Sequence, residues 1–245
     1  FYEDIAEQYD AIVGTERREA AVTEFVRRLV QRYRPASALD AACGTGLYAV
    51  ALAVAGVRTV GADLSQEMLD RAAARAEAAG VDVEWVPAPM QQLDAHRSDT
   101  FDLLLCMGNS LPHLHTRDEL DAACTAFARL LHPGGRVGVH LLNYRHVLNR
   151  AERIVGIDEG PDGLYVRFYD FLDTMLRFNI LAIRHEGDGH EGELHSTTLR
   201  PWRPGEVRDA LDRAGFVELR PAGGLDESHF RPDASDTVLF LGRRG

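Results

Sequence analysis

The chain has 245 residues, of which 45% are hydrophobic, and a net charge of −11. This suits one α/β domain with an insertion, and the acidic balance excludes the broad basic face that neutralises nucleic-acid phosphates. Three cysteines without pairing or metal-ligand spacing, and no signal peptide or membrane-length apolar run, lead to the expectation of a cytoplasmic chain handling small molecules, with no metal, nucleic-acid or membrane partner.

The first stretch, residues 2–33, reads as helix: Ala20, Val22, Phe25, Val26, Leu29 and Val30 recur at helical spacing. A short strand is expected over 37–41, then a helix from Leu47 that stops near Gly56. A second strand over 57–62 ends at Asp63. Ser65 is placed to cap the following helix, Glu67 suits its first turn, and Gly80 closes it. Residues 81–86 alternate as a strand, and 101–106 form an apolar run fitting a strand buried on both faces.

Thr116 and Glu119 make a capping box for a helix with an apolar face of Leu120, Ala123, Phe127, Leu130 and Leu131. His132-Pro133-Gly134-Gly135 then predicts a turn into a fifth strand over 136–141. Alternating strands and helices predict a parallel sheet covered on both faces. Residues 164–172, 175–185 and 193–200 read instead as three strands joined by turns, which pair antiparallel. Pro204 opens a last helix, Gly215 ends it, and two strands over 216–219 and 237–242 finish the chain. The organisation expected is a doubly wound, Rossmann-like α/β sheet of seven strands built from 1–144 and 204–245. Residues 145–203 form an inserted antiparallel subdomain that binds substrate or acts as a lid.

The most informative segment is 38–46. An apolar strand ends in Asp40, and a glycine turn (Gly44, Gly46) leads into an alanine-rich helix. Glycines let backbone approach a ligand, the helix offers unpaired N–H groups, and Asp63 can accept hydrogen bonds from a ribose diol. Gly44-Thr45-Gly46-Leu47-Tyr48-Ala49 formally fits a dinucleotide-binding turn, so a nicotinamide dehydrogenase is one reading. Three details favour an S-adenosylmethionine site. Asp40 before the glycines would repel a pyrophosphate. A polar loop, Gly108-Asn109-Ser110, follows the fourth strand, where ligands bind in such sheets. The final strand pair is antiparallel.

With these motifs the chain resembles the class I S-adenosylmethionine-dependent methyltransferases, and within them the glycine N-methyltransferase-like group. The resemblance rests on Leu39-Asp40-Ala41-Ala42-Cys43-Gly44-Thr45-Gly46, on Asp63-Leu64-Ser65-Gln66-Glu67-Met68-Leu69, on Gly108-Asn109-Ser110 with His113-Leu114, and on Pro133-Gly134-Gly135 followed by Asn143-Tyr144. It implies that Asp63 holds the ribose, that Ala42 and Gly44 line the methionine part, and that Arg18 meets its carboxylate. Tyr9 would close over the cofactor, Leu64 and Met90 would sandwich the adenine, and Met107 would approach the sulfonium. Met68 and Gln91 complete the implied cofactor set, and Asn109 would face the acceptor. Two positions depart from the family. Leu142 stands where glycine-methylating members carry a carboxylate-gripping arginine, which disfavours glycine itself. Pro89 cannot donate a hydrogen bond to adenine.

The candidate acceptor-site residues are His113, Asn109, Tyr144 and His140 for catalysis, with Arg167 and Tyr169 joining Asn109 and Tyr144 in binding the acceptor. An unperturbed histidine titrates near about 6.5 and can take a proton. His140 also suits a core position, and His115 a surface one. Arg167, Tyr169 and Phe171 share one strand face, from which Arg167 can replace the missing carboxylate clamp. Cys43 suits its turn by size, and Trp202 is expected to anchor the insertion. The reaction implied is methyl transfer to a small amine. O- or C-methylation, or a non-methyl use of the cofactor, remain alternatives, and a homo-oligomer is left open.

Overall fold

The computed structural model describes residues 15–160, 163–186 and 189–245. Helix α1 (Thr15–Tyr33) buries Val22, Phe25, Val26 and Leu29 along one stripe. The part of this helix expected over 2–14, Tyr9 included, lies outside the described residues.

Strand β1 (Ser37–Ala41) is buried throughout and leads through the glycine turn into α2 (Leu47–Val54). Gly56, at φ +84°, lets the chain turn back into β2 (Arg58–Asp63). The Ser65 hydroxyl caps α3 (Gln66–Ala79) by accepting from the Met68 N–H, and Gly80 closes that helix at φ +67°. The next strand, β3 (Glu84–Pro87), is shorter and later than the alternating run, because β2 offers pairing partners only from Glu84 to Pro87. A 3-10 turn and one helical turn, α4 (Leu93–His96), lead to β4 (Phe101–Cys106). Helix α5 (Arg117–Arg129) opens with the expected capping box. It ends two residues before the expected apolar face does: Leu130 caps it and Leu131 begins β5 (Leu131–Leu142). Residues 132–135 are not a separate turn before the strand. They bulge out of β5, whose pairing with β4 jumps from Phe101↔Leu131 to Leu103↔Arg136.

After a short helix, α6 (Tyr144–Arg150), the chain forms four antiparallel strands rather than three: β6 (Ile154–Gly160), β7 (Gly163–Phe171), β8 (Leu176–Glu186) and β9 (Gly189–Leu199). Helix α7 (Pro204–Arg213), β10 (Phe216–Ala222) and β11 (Thr237–Arg244) complete the chain. The main sheet has the order β10-β11-β5-β4-β1-β2-β3, with β11 antiparallel to both neighbours.

Alternation along β4 divides two cores. Leu104 and Cys106 join Leu39, Phe127, Tyr144 and Trp202 on one face. Leu103 and Leu105 join Phe25, Tyr48 and Leu239 on the other. Trp202 anchors the return from the insertion as expected: it is 1% exposed and its indole N–H donates to the Leu114 carbonyl at 2.8 Å. The three cysteines are free and buried. No helix among the described residues is long and apolar enough to cross a membrane.

Candidate active site

Parallel strands end together, so β1, β2 and β4 deliver the glycine turn, Asp63 and the 107–110 loop to one edge. They surround a cavity of about 260 Å³. Asp63 closes β2 and its carboxylate accepts from the Gly44 N–H at 2.8 Å and the Ser65 N–H at 3.0 Å. Burial raises its pKa, and these backbone bonds oppose the shift. The acid and the glycine turn are therefore one hydrogen-bonded unit.

Asp40 is 1% exposed, and its Oδ2 has no partner among the described residues. Burial pushes its pKa up to about 8; a bond from the Ala49 N–H pulls the other way, and the charge of Asp63 adds to the rise. The turn itself needs positive φ at Ala42 (56°), Gly44 (55°) and Gly46 (77°). A Cβ at Gly44 would meet nothing within 4 Å, so the missing side chain leaves open space above the backbone. The implied nucleoside fits these residues: an orphaned acid for a cationic end, a bare turn, and a second acid for a sugar diol. Arg18, Leu64, Met68, Met90, Gln91 and Met107 line the same cavity, as the sequence implies. Leu64 is 74% exposed, an open flank for a planar ring.

A second cavity, of about 380 Å³, adjoins the first, and Gly108 and His113 line both. Its walls include Asn109, Leu142, Arg167, Tyr169 and Phe178. Burial lowers the pKa of His113 to about 4, with His115 adding slightly, so its imidazole is neutral at pH 7. Asn109, at φ 72°, spends its amide inside the fold: Nδ2 donates to the Tyr144 hydroxyl at 2.9 Å and Oδ1 accepts from the Leu142 N–H at 3.0 Å. Tyr144 is fully buried and its pKa is pushed well above its ordinary value by that burial. It lines neither cavity: it is a core residue behind Asn109 that stays protonated, not the catalytic or acceptor-binding group expected from the sequence.

His140 lies apart from both cavity linings. Its Nδ1 is buried without a partner among the described residues, and burial, with the nearby Arg18, holds its pKa at about 4. Arg167 is not a free carboxylate clamp: its Nη2 donates to Asp158 at 2.6 Å. Sequence reading missed His146, Arg150, Glu152 and Asp236, which line the second cavity. They are polar residues in or just beyond α6 and just before β11, with no spacing that marks them. Arg150 is already paired with Glu152.

A seven-stranded sheet with its last strand reversed, a glycine turn after β1 and an acid closing β2 make the class I methyltransferase fold. The methyltransferase domain family matches residues 38–135. A glycine/sarcosine N-methyltransferase of Aphanothece halophytica is 24% identical over 95% of this chain and 86% of its own length. That of Parasynechococcus marenigrum is 26% identical over 95% and 81%. An S-adenosylmethionine-dependent methyltransferase from Clostridium acetobutylicum superposes with a TM-score of 0.85 at 19% identity, covering 100% of this chain and 99% of the other. The sugar N-methyltransferase KedS8 from Streptoalloteichus superposes at 0.71 with 25% identity, covering 92% and 87%. The matched domain, these relatives and the fold together indicate an S-adenosylmethionine-dependent methyltransferase.

Proposed function

We propose that this enzyme N-methylates a small-molecule amine larger than glycine, bound in the second cavity. The observation that carries this reading is that cavity's size and position. About 380 Å³ suits a ring-sized ligand, and the shared wall at Gly108 and His113 puts the ligand beside the cofactor. The names of the full-length relatives, glycine/sarcosine N-methyltransferases, and of the sugar N-methyltransferase support nitrogen as the acceptor atom. Leu142 and the paired arginines argue against a carboxylate grip on glycine. Residues 145–203 supply much of the wall and act as the acceptor-binding subdomain, while 1–144 and 204–245 hold the cofactor.

When bound, S-adenosylmethionine would supply a methyl group on a positively charged sulfur to an unprotonated nitrogen, with S-adenosylhomocysteine as the leaving group. Asp63, oriented by the Gly44 and Ser65 N–H groups, would hold the ribose hydroxyls. Arg18 would meet the carboxylate and Asp40 the ammonium of the methionyl end. His113, neutral at pH 7, stands in the wall common to both cavities, beside the place where the acceptor nitrogen would sit. A pKa near 4 makes it a poor proton store, so the amine proton passes on to solvent. Asn109 fixes Tyr144 and ties the 107–110 loop to β5, which holds the two cavities in register. Most of the rate comes from this positioning and from excluding water.

The test is release of S-adenosylhomocysteine by the purified protein with a panel of amines, phenols and catechols. Turnover is expected with amines. Turnover with phenols or catechols alone means O-methylation, and methylthioadenosine as the product means a non-methyl reaction.

A further inference from the structure

The inserted sheet holds an arrangement that the methyl-transfer scheme does not use. Arg167 on β7 lines the acceptor cavity, and its guanidinium donates to Asp158 of β6 at 2.6 Å. Both side chains are about three-quarters buried, being 27% and 23% exposed. The Arg167 Nε is buried and has no partner among the described residues. Gly156 pairs directly with Arg167 across the two strands. A Cβ there would lie 2.4 Å from Nη2 and 2.9 Å from Nε, so the guanidinium occupies the space a side chain would fill.

We infer that the Arg167–Asp158 pair, seated over Gly156, reads an uncharged oxygen of the acceptor and discriminates against carboxylates; this rests on the proposed amine methylation. Asp158 already neutralises Arg167. An incoming carboxylate must either displace that partner or sit beside it with part of the surrounding water removed, and like charges there repel. A hydroxyl or ether oxygen brings no charge, so it can accept from the part of the guanidinium that lines the cavity without contesting Asp158. The other arginine of the cavity, Arg150, is tied to Glu152 in the same way. The chemistry selected is a neutral, oxygen-bearing amine such as an amino alcohol or amino sugar. Gly156 and Asp158 are positioning residues: they fix where Arg167 points and what charge it offers.

The experiment compares matched amines that differ only in a hydroxymethyl against a carboxylate: serinol with serine, and glucosamine with its C6 acid. Initial rates are read as S-adenosylhomocysteine release, with cofactor-product affinity measured by calorimetry alongside. Wild type is expected to favour the neutral member of each pair by about tenfold or more in kcat/KM, the scale of one charged hydrogen bond. Asp158→Asn leaves Arg167 unpaired and should erase or invert that ratio with S-adenosylhomocysteine affinity unchanged. Gly156→Ala must push aside the Arg167 guanidinium rather than backbone, and its urea midpoint checks that the protein still folds. It should raise KM for the neutral acceptor about tenfold with kcat nearly constant. Wild-type preference for the carboxylate members, or an unchanged ratio in Asp158→Asn, overturns this inference alone. Failure of every amine overturns the amine reading and this inference together.

Discussion

Asp40 is an acid that the fold keeps protonated near neutrality and leaves with one bare oxygen. A cationic ligand group beside it favours the ionised form, so binding at pH 7 must expel a proton. Cofactor affinity is therefore expected to climb with pH up to about 8 and then level off. Calorimetry in buffers of different ionisation heat reads the proton release, and Asp40→Asn should remove it. The same shift acts on stability with the opposite sense. The folded acid keeps its proton to about 8 while the unfolded one loses it near 3.8, so its contribution is full below the lower value and lost as pH rises through the upper. Asp63→Ala should cost about 1–3 kcal/mol of S-adenosylhomocysteine affinity, from lost charged hydrogen bonds; a wild-type dissociation constant would contradict the ribose role. Both acids were legible because each stands at the carboxyl end of an apolar strand, Asp40 just before the glycine turn and Asp63 as the last residue of β2. The partner of Arg167 was not: an ion pair across two strands leaves no mark in either strand's own pattern.

At the scale of elements, the glycine turn tolerates little change. A methyl at Gly46 would meet the Ala72 Cβ at 2.8 Å and the Trp85 ring at 2.9 Å, on a residue held at φ +77°. Gly46→Ala should destabilise by about 2–4 kcal/mol, left-handed strain plus overpacking, seen as a lowered urea midpoint. Thr116→Ala removes one half of the α5 capping box and should cost about 1 kcal/mol in the same assay. Elements with such chemical punctuation, α3 between Ser65 and Gly80 and α5 behind Thr116, could be read ahead of the structure. Those without it could not. Helix α6 spans seven residues, and its Asn143 cap makes no side-chain bond to the helix; the Asn143 amide instead donates to Pro232 and Ser235 carbonyls. Strand β6 carries Gly156 and Gly160 and exposes Ile154 and Ile157, so it shows neither clean alternation nor a buried run. The bulge at 132–135 has the composition of a turn, and only pairing on both sides of it keeps it within the strand.

In the molecule as a whole, the inserted sheet and the cofactor edge meet at one place. The Arg200 N–H donates to the Pro112 carbonyl at 2.7 Å, the His115 ring bonds the Thr198 carbonyl at 2.9 Å, and Trp202 reaches Leu114, which lines the cofactor cavity. Trp202→Phe leaves the Leu114 carbonyl without its donor and should cost about 1–3 kcal/mol; Trp202→Ala should cost about 3–5 kcal/mol. Urea unfolding gives both values, and the acceptor KM of the phenylalanine variant reports whether the walls stay aligned. The buried cysteines have a practical consequence at this scale. Burial lifts all three thiols, Cys124 to about 12, so an alkylating reagent finds almost no thiolate in the closed protein. Labelling then clocks how often each region breathes. Cys43, inside the nucleoside cavity, times the opening of that edge and slows when the product nucleoside is added, while Cys106 and Cys124 keep time for the interior.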